Sequence, residues 1–272
     1  MTDTPALEVR DLCKRYGTHV AVEGVSLTVA SGEVFGFLGP NGAGKTTTMR
    51  VVAGLLRPTS GRVRIGAVDA LADPVAAKRV VGYVPDRPFL YEKLTALEFM
   101  RFAAGLYGLS PADAVRRAGE LLEVFSLAER AGDRIERYSH GMKQRLAFAA
   151  ALVHRPRLLI VDEPMVGLDP KGARLVKELL RRIARDWGTA VFLSTHAIEV
   201  AEKICDRVAI IDRARIVAEG TVAALRARGA AEHGSGAGLA AGSAAGTRSL
   251  EEIFMEVTGA ADLEGALEAL RS

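Results

Sequence analysis

The sequence predicts an α/β protein built on a mainly parallel sheet, and three observations carry that prediction. A glycine-rich loop, Gly39-Pro40-Asn41-Gly42-Ala43-Gly44-Lys45-Thr46-Thr47, follows a short apolar strand, Glu33–Leu38. It leads into Thr47–Leu56, where Met49, Val52, Ala53 and Leu56 recur at helical spacing. Further on, Arg157–Val161 is an apolar run of the kind a strand covered on both faces needs, and it ends in Asp162-Glu163-Pro164. Finally, Leu7–Arg10, Val25–Val29 and Gly61–Ile65 alternate apolar and polar residues, the pattern of strands exposed on one face, which predicts a small antiparallel sheet beside the parallel one.

The loop fits the pattern Gly, four residues, Gly, Lys, Ser or Thr, and strand, loop and helix stand in the order a phosphate-binding P-loop requires. Its glycines let backbone N–H groups close around phosphate oxygens, and the helix N-terminus adds a favourable dipole. Lys45 reaches the outer phosphates, while the Thr46 hydroxyl ligates magnesium. The chain therefore reads as a P-loop NTPase core that binds a nucleoside triphosphate. At the carboxyl end of the second strand, Asp162 holds magnesium and Glu163 orients and polarises the attacking water. Pro164 stops the strand from running on.

From Asp86 to about Val153 helical signals take over, with Leu94, Leu97, Phe99–Phe102, the stretch Ala114–Phe125 and a buried helix over Leu146–Val153. Ahead of that last helix stands Tyr138-Ser139-His140-Gly141-Met142-Lys143-Gln144-Arg145-Leu146. With the motifs above, this segment resembles the signature of ABC-type ATPases, usually Leu-Ser-Gly-Gly-Gln. Val166-Gly167-Leu168-Asp169 is similar to that family's D-loop, His196 after the apolar strand Thr189–Thr195 to its switch histidine, and Tyr16 to its adenine-stacking aromatic. The match runs in order from residue 7 to about 225. It implies that 86–153 is the helical, signature-bearing subdomain and that His196 contacts the γ-phosphate. It also places Asp169 among the nucleotide-binding residues. Ser139 and Gly141 open a helix N-terminus suited to an anion, here the γ-phosphate held by a second subunit. ATP and Mg2+ would thus be bound in a head-to-tail dimer, expected to be a homodimer, that drives a separate integral membrane permease. In that setting Phe89, Leu90, Tyr91 and Phe99 are candidates to line a groove for the permease.

Two positions depart from the family pattern. Tyr83-Val84-Pro85-Asp86 has Asp where a Q-loop carries Gln; Asp86 is charged and shorter, so it would reach magnesium through a water and alter hydrolysis or its coupling. His140 replaces the first glycine of the signature pair, and a side chain there restricts φ.

In this 272-residue chain 36 basic residues stand against 33 acidic ones, a net charge of +3 that makes no case for nucleic acid. The pI of about 8.9 suits a negative membrane surface. Cys13 and Cys205 are isolated and read as small apolar fillers. No apolar run approaches the ~18 residues of a membrane helix, and the N-terminal segment lacks signal-peptide features. These features predict a cytoplasmic protein, and the family resemblance, through its permease, implies a peripheral place on the inner face of the cell membrane.

Fifteen of the 19 residues 229–247 are Gly, Ala or Ser, which predicts a flexible linker over 229–249 between an ATPase domain, 1–228, and a helical tail, 250–272. Ser249 and Glu252 form a capping box, and Leu250, Ile253, Phe254 and Val257 mark one helical face. Within the tail, Leu250–Thr258 resembles a terminal segment of ATPase subunits in multidrug, antibiotic and polysaccharide exporters. A soluble relative acting on ribosomes or DNA is the alternative, but it would show a second cassette or a long heptad repeat, and neither is present. A different P-loop enzyme, such as a GTPase or small-molecule kinase, would leave the signature and His196 unexplained.

Overall fold

The computed structural model describes residues 4–165, 168–232 and 249–258. The antiparallel sheet is formed by β1 (Leu7–Tyr16), β2 (His19–Val29), β4 (Ser60–Ile65) and the short β5 (Val68–Asp69), in the order β2-β1-β4-β5. In its register Leu7 faces Val29 and Ile65, while Val9 faces Leu27 and Val63. The predicted alternation therefore assembles one buried apolar face.

In the larger sheet β3 (Val34–Leu38), β6 (Val81–Val84), β7 (Leu158–Asp162), β8 (Ala190–Thr195) and β9 (Arg207–Asp212) are parallel. Strand β10 (Arg215–Thr221) returns antiparallel beside β9, giving the order β10-β9-β3-β8-β7-β6. Every residue of β3, β7 and β8 is buried, because alternate side chains enter cores on opposite faces. Phe35, Phe37, Ile160 and Phe192 join the core shared with the antiparallel sheet, whereas Val161, Val191 and Leu193 join the core beneath the helices. This double cover is why the strands read as continuous apolar runs.

The helical segment consists of α3 (Ala96–Leu106), α4 (Pro111–Val124) and α5 (His140–Leu152), with two 3-10 turns between α4 and α5. A capping box at Thr95 and Glu98 starts α3, and Ser110 followed by Pro111 starts α4. Around the large sheet also pack α1 (Lys45–Val52), α2 (Pro74–Arg79), α6 (Pro170–Trp187) and α7 (Ile198–Ile204). Helix α6 stops at Gly188 in the left-handed conformation (φ 67°).

Helix α8 (Val222–Glu232) enters the stretch read as linker by four residues. Alanine favours helix and a single glycine only weakens it, so composition alone placed that boundary too early. Residues 233–248 of the linker and 259–272 of the tail lie outside the described residues, as do Val166 and Gly167 of the D-loop. Helix α9 (Leu250–Val257) has the expected capping box at Ser249 and Glu252. Its Leu250 and Ile253 belong to one buried apolar cluster with Leu38, Ala201, Ile210 and Leu225. Glu202 of α7 accepts hydrogen bonds from Arg226 of α8 (2.6 Å) and from the Leu250 N–H (3.3 Å), tying three helices together.

Candidate active site

The register places the carboxyl ends of β3, β8 and β7 side by side, with Leu38 opposite Thr195 and Ser194 opposite Asp162. The phosphate loop springs from β3 and closes at Gly44, which caps α1 with φ 111°. A Cβ on Gly44 would stand 2.4 Å from the Ala21 carbonyl oxygen, and one on Gly39 would stand 2.3 Å from that of Ile211. Both positions admit only glycine. Asn41 and Gly42 are exposed at the loop's tip, while Pro40, Thr46 and Thr47 are half-buried and Ala43 is buried beneath them.

Lys45 is almost enclosed. Its Nζ donates to the carbonyls of Gly39 (2.7 Å) and Pro40 (3.1 Å) and stands 3.8 Å from Glu163 Oε1. Burial pushes its pKa down, opposed by the charges of Glu163 and Asp162. Asp162 Oδ1 accepts from Ser194 (2.5 Å) and, at longer range, from Thr46 (3.4 Å). Its Oδ2 is buried without a partner. Burial raises the Asp162 pKa, and the two hydroxyls oppose the shift. Such an orphaned anionic oxygen beside the Thr46 hydroxyl fits one flank of a divalent cation. Among the described residues no group of three His, Cys, Asp or Glu side chains could hold a metal alone. Further ligands would be phosphate oxygens and waters.

Glu163 has a left-handed backbone (φ 49°), a strained conformation for a side-chain-bearing residue of the kind found at functional sites. Its N–H donates to Ser194 Oγ (3.1 Å), and its Oε1 lies 3.0 Å from His196 Nδ1. Lys45, Thr46, Asp162, Glu163 and His196 therefore form one connected group. Ser194 joins it unforeseen, gripping Asp162 and the Glu163 backbone at once. A hydroxyl inside a wholly buried strand, two residues before His196, was its only signal in the sequence.

The other candidates lie apart from this group. Ser139 caps α5, its Oγ accepting from the Met142 N–H at 3.3 Å, and Gly141 sits in that first turn. His140 is helical and absent from the positive-φ residues, so the left-handed freedom of glycine is not needed there. Asp169 caps α6 by accepting from the Gly172 N–H (3.1 Å). Tyr16, at the end of β1, is half-exposed. Among the described residues no hydrogen bond or ion pair joins Tyr16, Ser139 or Asp169 to the connected group. Asp86 is half-buried just beyond β6, close enough for its charge to help raise the Asp162 pKa.

Asp86 also borders an apolar groove of about 920 Å³ between the sheet's edge and the helical segment. Phe89, Leu90, Tyr91 and Phe99 line it as expected, with Phe102 and Leu106 beside them. Phe89 is 89 % exposed, whereas Phe99 is buried under Tyr91, whose ring meets Phe99 and Phe102 edge-on.

Comparison with known proteins agrees with this architecture. The family model described as "ABC transporter" matches residues 22–166. The linearmycin resistance ATP-binding protein LnrL of Bacillus subtilis is 41 % identical over 215 residues, 79 % of this chain and 69 % of that one. The daunorubicin resistance ATP-binding protein DrrA3 of Streptomyces coeruleorubidus is 40 % identical over 84 % of this chain and 71 % of its own. A solved ATP-binding subunit of an ABC transporter superposes with a TM-score of 0.82 at 35 % identity, covering 93 % of this chain and 99 % of that one. The dimeric, post-hydrolysis ATP-binding cassette MJ0796, bound to ADP and Pi, gives 0.73 at 26 % identity over 79 % and 98 %. Sharing this sequence pattern, this fold and a phosphate loop set against strand-end acids, the chain belongs to the ABC transporter family, as one of its ATP-hydrolysing subunits.

Proposed function

We propose that the chain is the energy-coupling subunit of an exporter, closing head to tail with a second copy around ATP and driving a separate membrane permease from the inner face of the membrane. The observation that carries the coupling is the exposed aromatic groove, which shares Asp86 with the strand-end acids. Solvent-facing Phe89 and Tyr91 have little reason to be apolar unless a partner covers them. Among the described residues no helix is long and apolar enough to cross a membrane, so the partner would supply that part. The names of relatives point to export: linearmycin and daunorubicin resistance, and a Nod factor export ATP-binding protein of Cupriavidus metallidurans.

Each residue has a role in this reading. Lys45 exchanges the Gly39 and Pro40 carbonyls for the outer phosphates, and the loop's N–H groups hold the remaining oxygens. Thr46 and Asp162 would hold magnesium, with Asp86 reaching it through a water, and the ion would offset charge developing on the phosphates. Glu163 accepts the proton of the attacking water or orients it, and His196, held by Glu163, donates to the γ-phosphate. Tyr16 stacks on adenine, while Ser139, Gly141 and Asp169 complete the site across the dimer.

The test is purification of the tagged chain, in detergent, from the cells that make it. Recovery of a multi-helix membrane protein, lost when Phe89 and Tyr91 are both changed to Ser, is the expected outcome. Recovery of ribosomes or DNA instead would overturn the reading.

A further inference from the structure

The ammonium of Lys14 sits over one face of the Tyr16 ring, 5.1 Å from its centroid. The same Nζ donates to the Arg57 carbonyl at 2.8 Å, in the turn that follows α1. Two more bonds join these segments: Thr59 N–H donates to the Cys13 carbonyl (2.8 Å) and Arg15 N–H to Thr59 Oγ1 (2.9 Å). Residues 13–15, where the β1–β2 register shifts, are thereby fastened to the chain just beyond the phosphate-loop helix. With a cation over one ring face and Tyr16 as a whole 49 % exposed, a flat ligand would have to stack on the opposite face.

We propose that Lys14 is a positioning residue for the nucleobase: anchored on the Arg57 carbonyl, it holds the Tyr16 ring by one face and presents the other to a stacked purine. This rests on the reading of Tyr16 as the base platform. A cation on the far face also polarises the ring, so both orientation and stacking depend on the charge. The contribution is directed at the base and leaves the triphosphate grip alone.

Dissociation constants for ATP and for ribose 5-triphosphate, which has no base, test this. Lys14→Met, which keeps the side chain's length, should weaken ATP about threefold, the scale of one exposed cation–π contact, and leave ribose triphosphate unchanged. Lys14→Arg should restore ATP binding, and in a Tyr16→Ala chain Lys14→Met should add no further loss. Unchanged ATP binding in Lys14→Met, equal weakening of both ligands, or a full extra loss in the Tyr16→Ala background would each overturn the proposal. If Tyr16→Ala itself binds ATP like the unaltered chain, the base platform falls and the role of Lys14 with it. If Tyr16→Ala weakens ATP and Lys14→Met does not, only the role of Lys14 falls.

Discussion

Replacing Glu163 by Gln removes one negative charge and almost nothing else. The amide has the carboxylate's shape, keeps a hydrogen-bonding group 3.0 Å from His196, and leaves the left-handed backbone at 163 as strained as before. Lys45 loses an ion partner 3.8 Å away but retains the Gly39 and Pro40 carbonyls, so no buried cation is stranded and folding stability should change by less than about 1 kcal/mol. ATP should bind as well or better, since less negative charge faces the phosphates. Turnover should fall about 100- to 10,000-fold, the usual worth of a positioned base and about 3–5 kcal/mol of barrier. Phosphate release measures the rate, equilibrium binding measures affinity, and size-exclusion chromatography with ATP should reveal a trapped dimer. A folded Glu163→Gln chain that releases phosphate within threefold of the unaltered rate would refute the assignment.

Lys45→Ala should abolish tight ATP binding, and Ser139→Arg should spare binding but abolish turnover; mixing the two chains should recover activity, because one site of each heterodimer is then intact. Full activity of Ser139→Arg alone would refute a site shared between subunits. Asp86→Gln should leave ATP binding unchanged or tighter and alter chiefly the hydrolysis rate, and if Asp86→Gln and Asp86→Ala both match the unaltered rate and magnesium dependence, Asp86 is a solvated loop acid. His154 stacks on Tyr107 at 3.5 Å and bonds the Val81 carbonyl, and burial depresses its pKa to about 4. A depressed pKa means the unfolded chain takes the proton first, so stability is fully present above about pH 6.5 and is lost as pH falls towards 4. The ceiling is about 3 kcal/mol, reduced to about 1–2 by the ring's partial exposure. Urea titrations should show that dependence flattened in His154→Phe, and an unchanged slope would refute it.

What was legible in the sequence was chemistry that neighbours in the chain can express by themselves. Gly39–Thr47 fits the phosphate-loop pattern locally, because loop, lysine and helix start are contiguous, and β3, β7 and β8 announce their burial as unbroken apolar runs. The tail's capping box is likewise a four-residue pattern. Ser194 was not legible, since its importance comes from the β7–β8 register that sets it opposite Asp162. The β9–β10 hairpin was overlooked although Arg207–Asp212 is mostly apolar; only pairing with β3 distinguishes it as a strand. At His140 a local rule misled, because glycine's freedom matters only where φ is positive and this position is helical.

Helix α9 bears on how shortened versions of the chain should be interpreted. Leu250 and Ile253 share a buried apolar cluster with Leu38, the residue immediately before Gly39, so this helix helps form the back wall of the strand from which the phosphate loop emerges. Cutting the chain after Glu232 would strip that wall and free Glu202 of a partner, uncovering two large aliphatic side chains' worth of core. A lower melting temperature and slower ATPase in such a truncation would report damage to the strand that carries the Gly39–Thr47 loop. Neither effect would count as evidence of a regulatory tail, and separating the two calls for a surface change on the outward face of α9, at Glu251, with Leu250 and the Ser249–Glu252 capping box left in place.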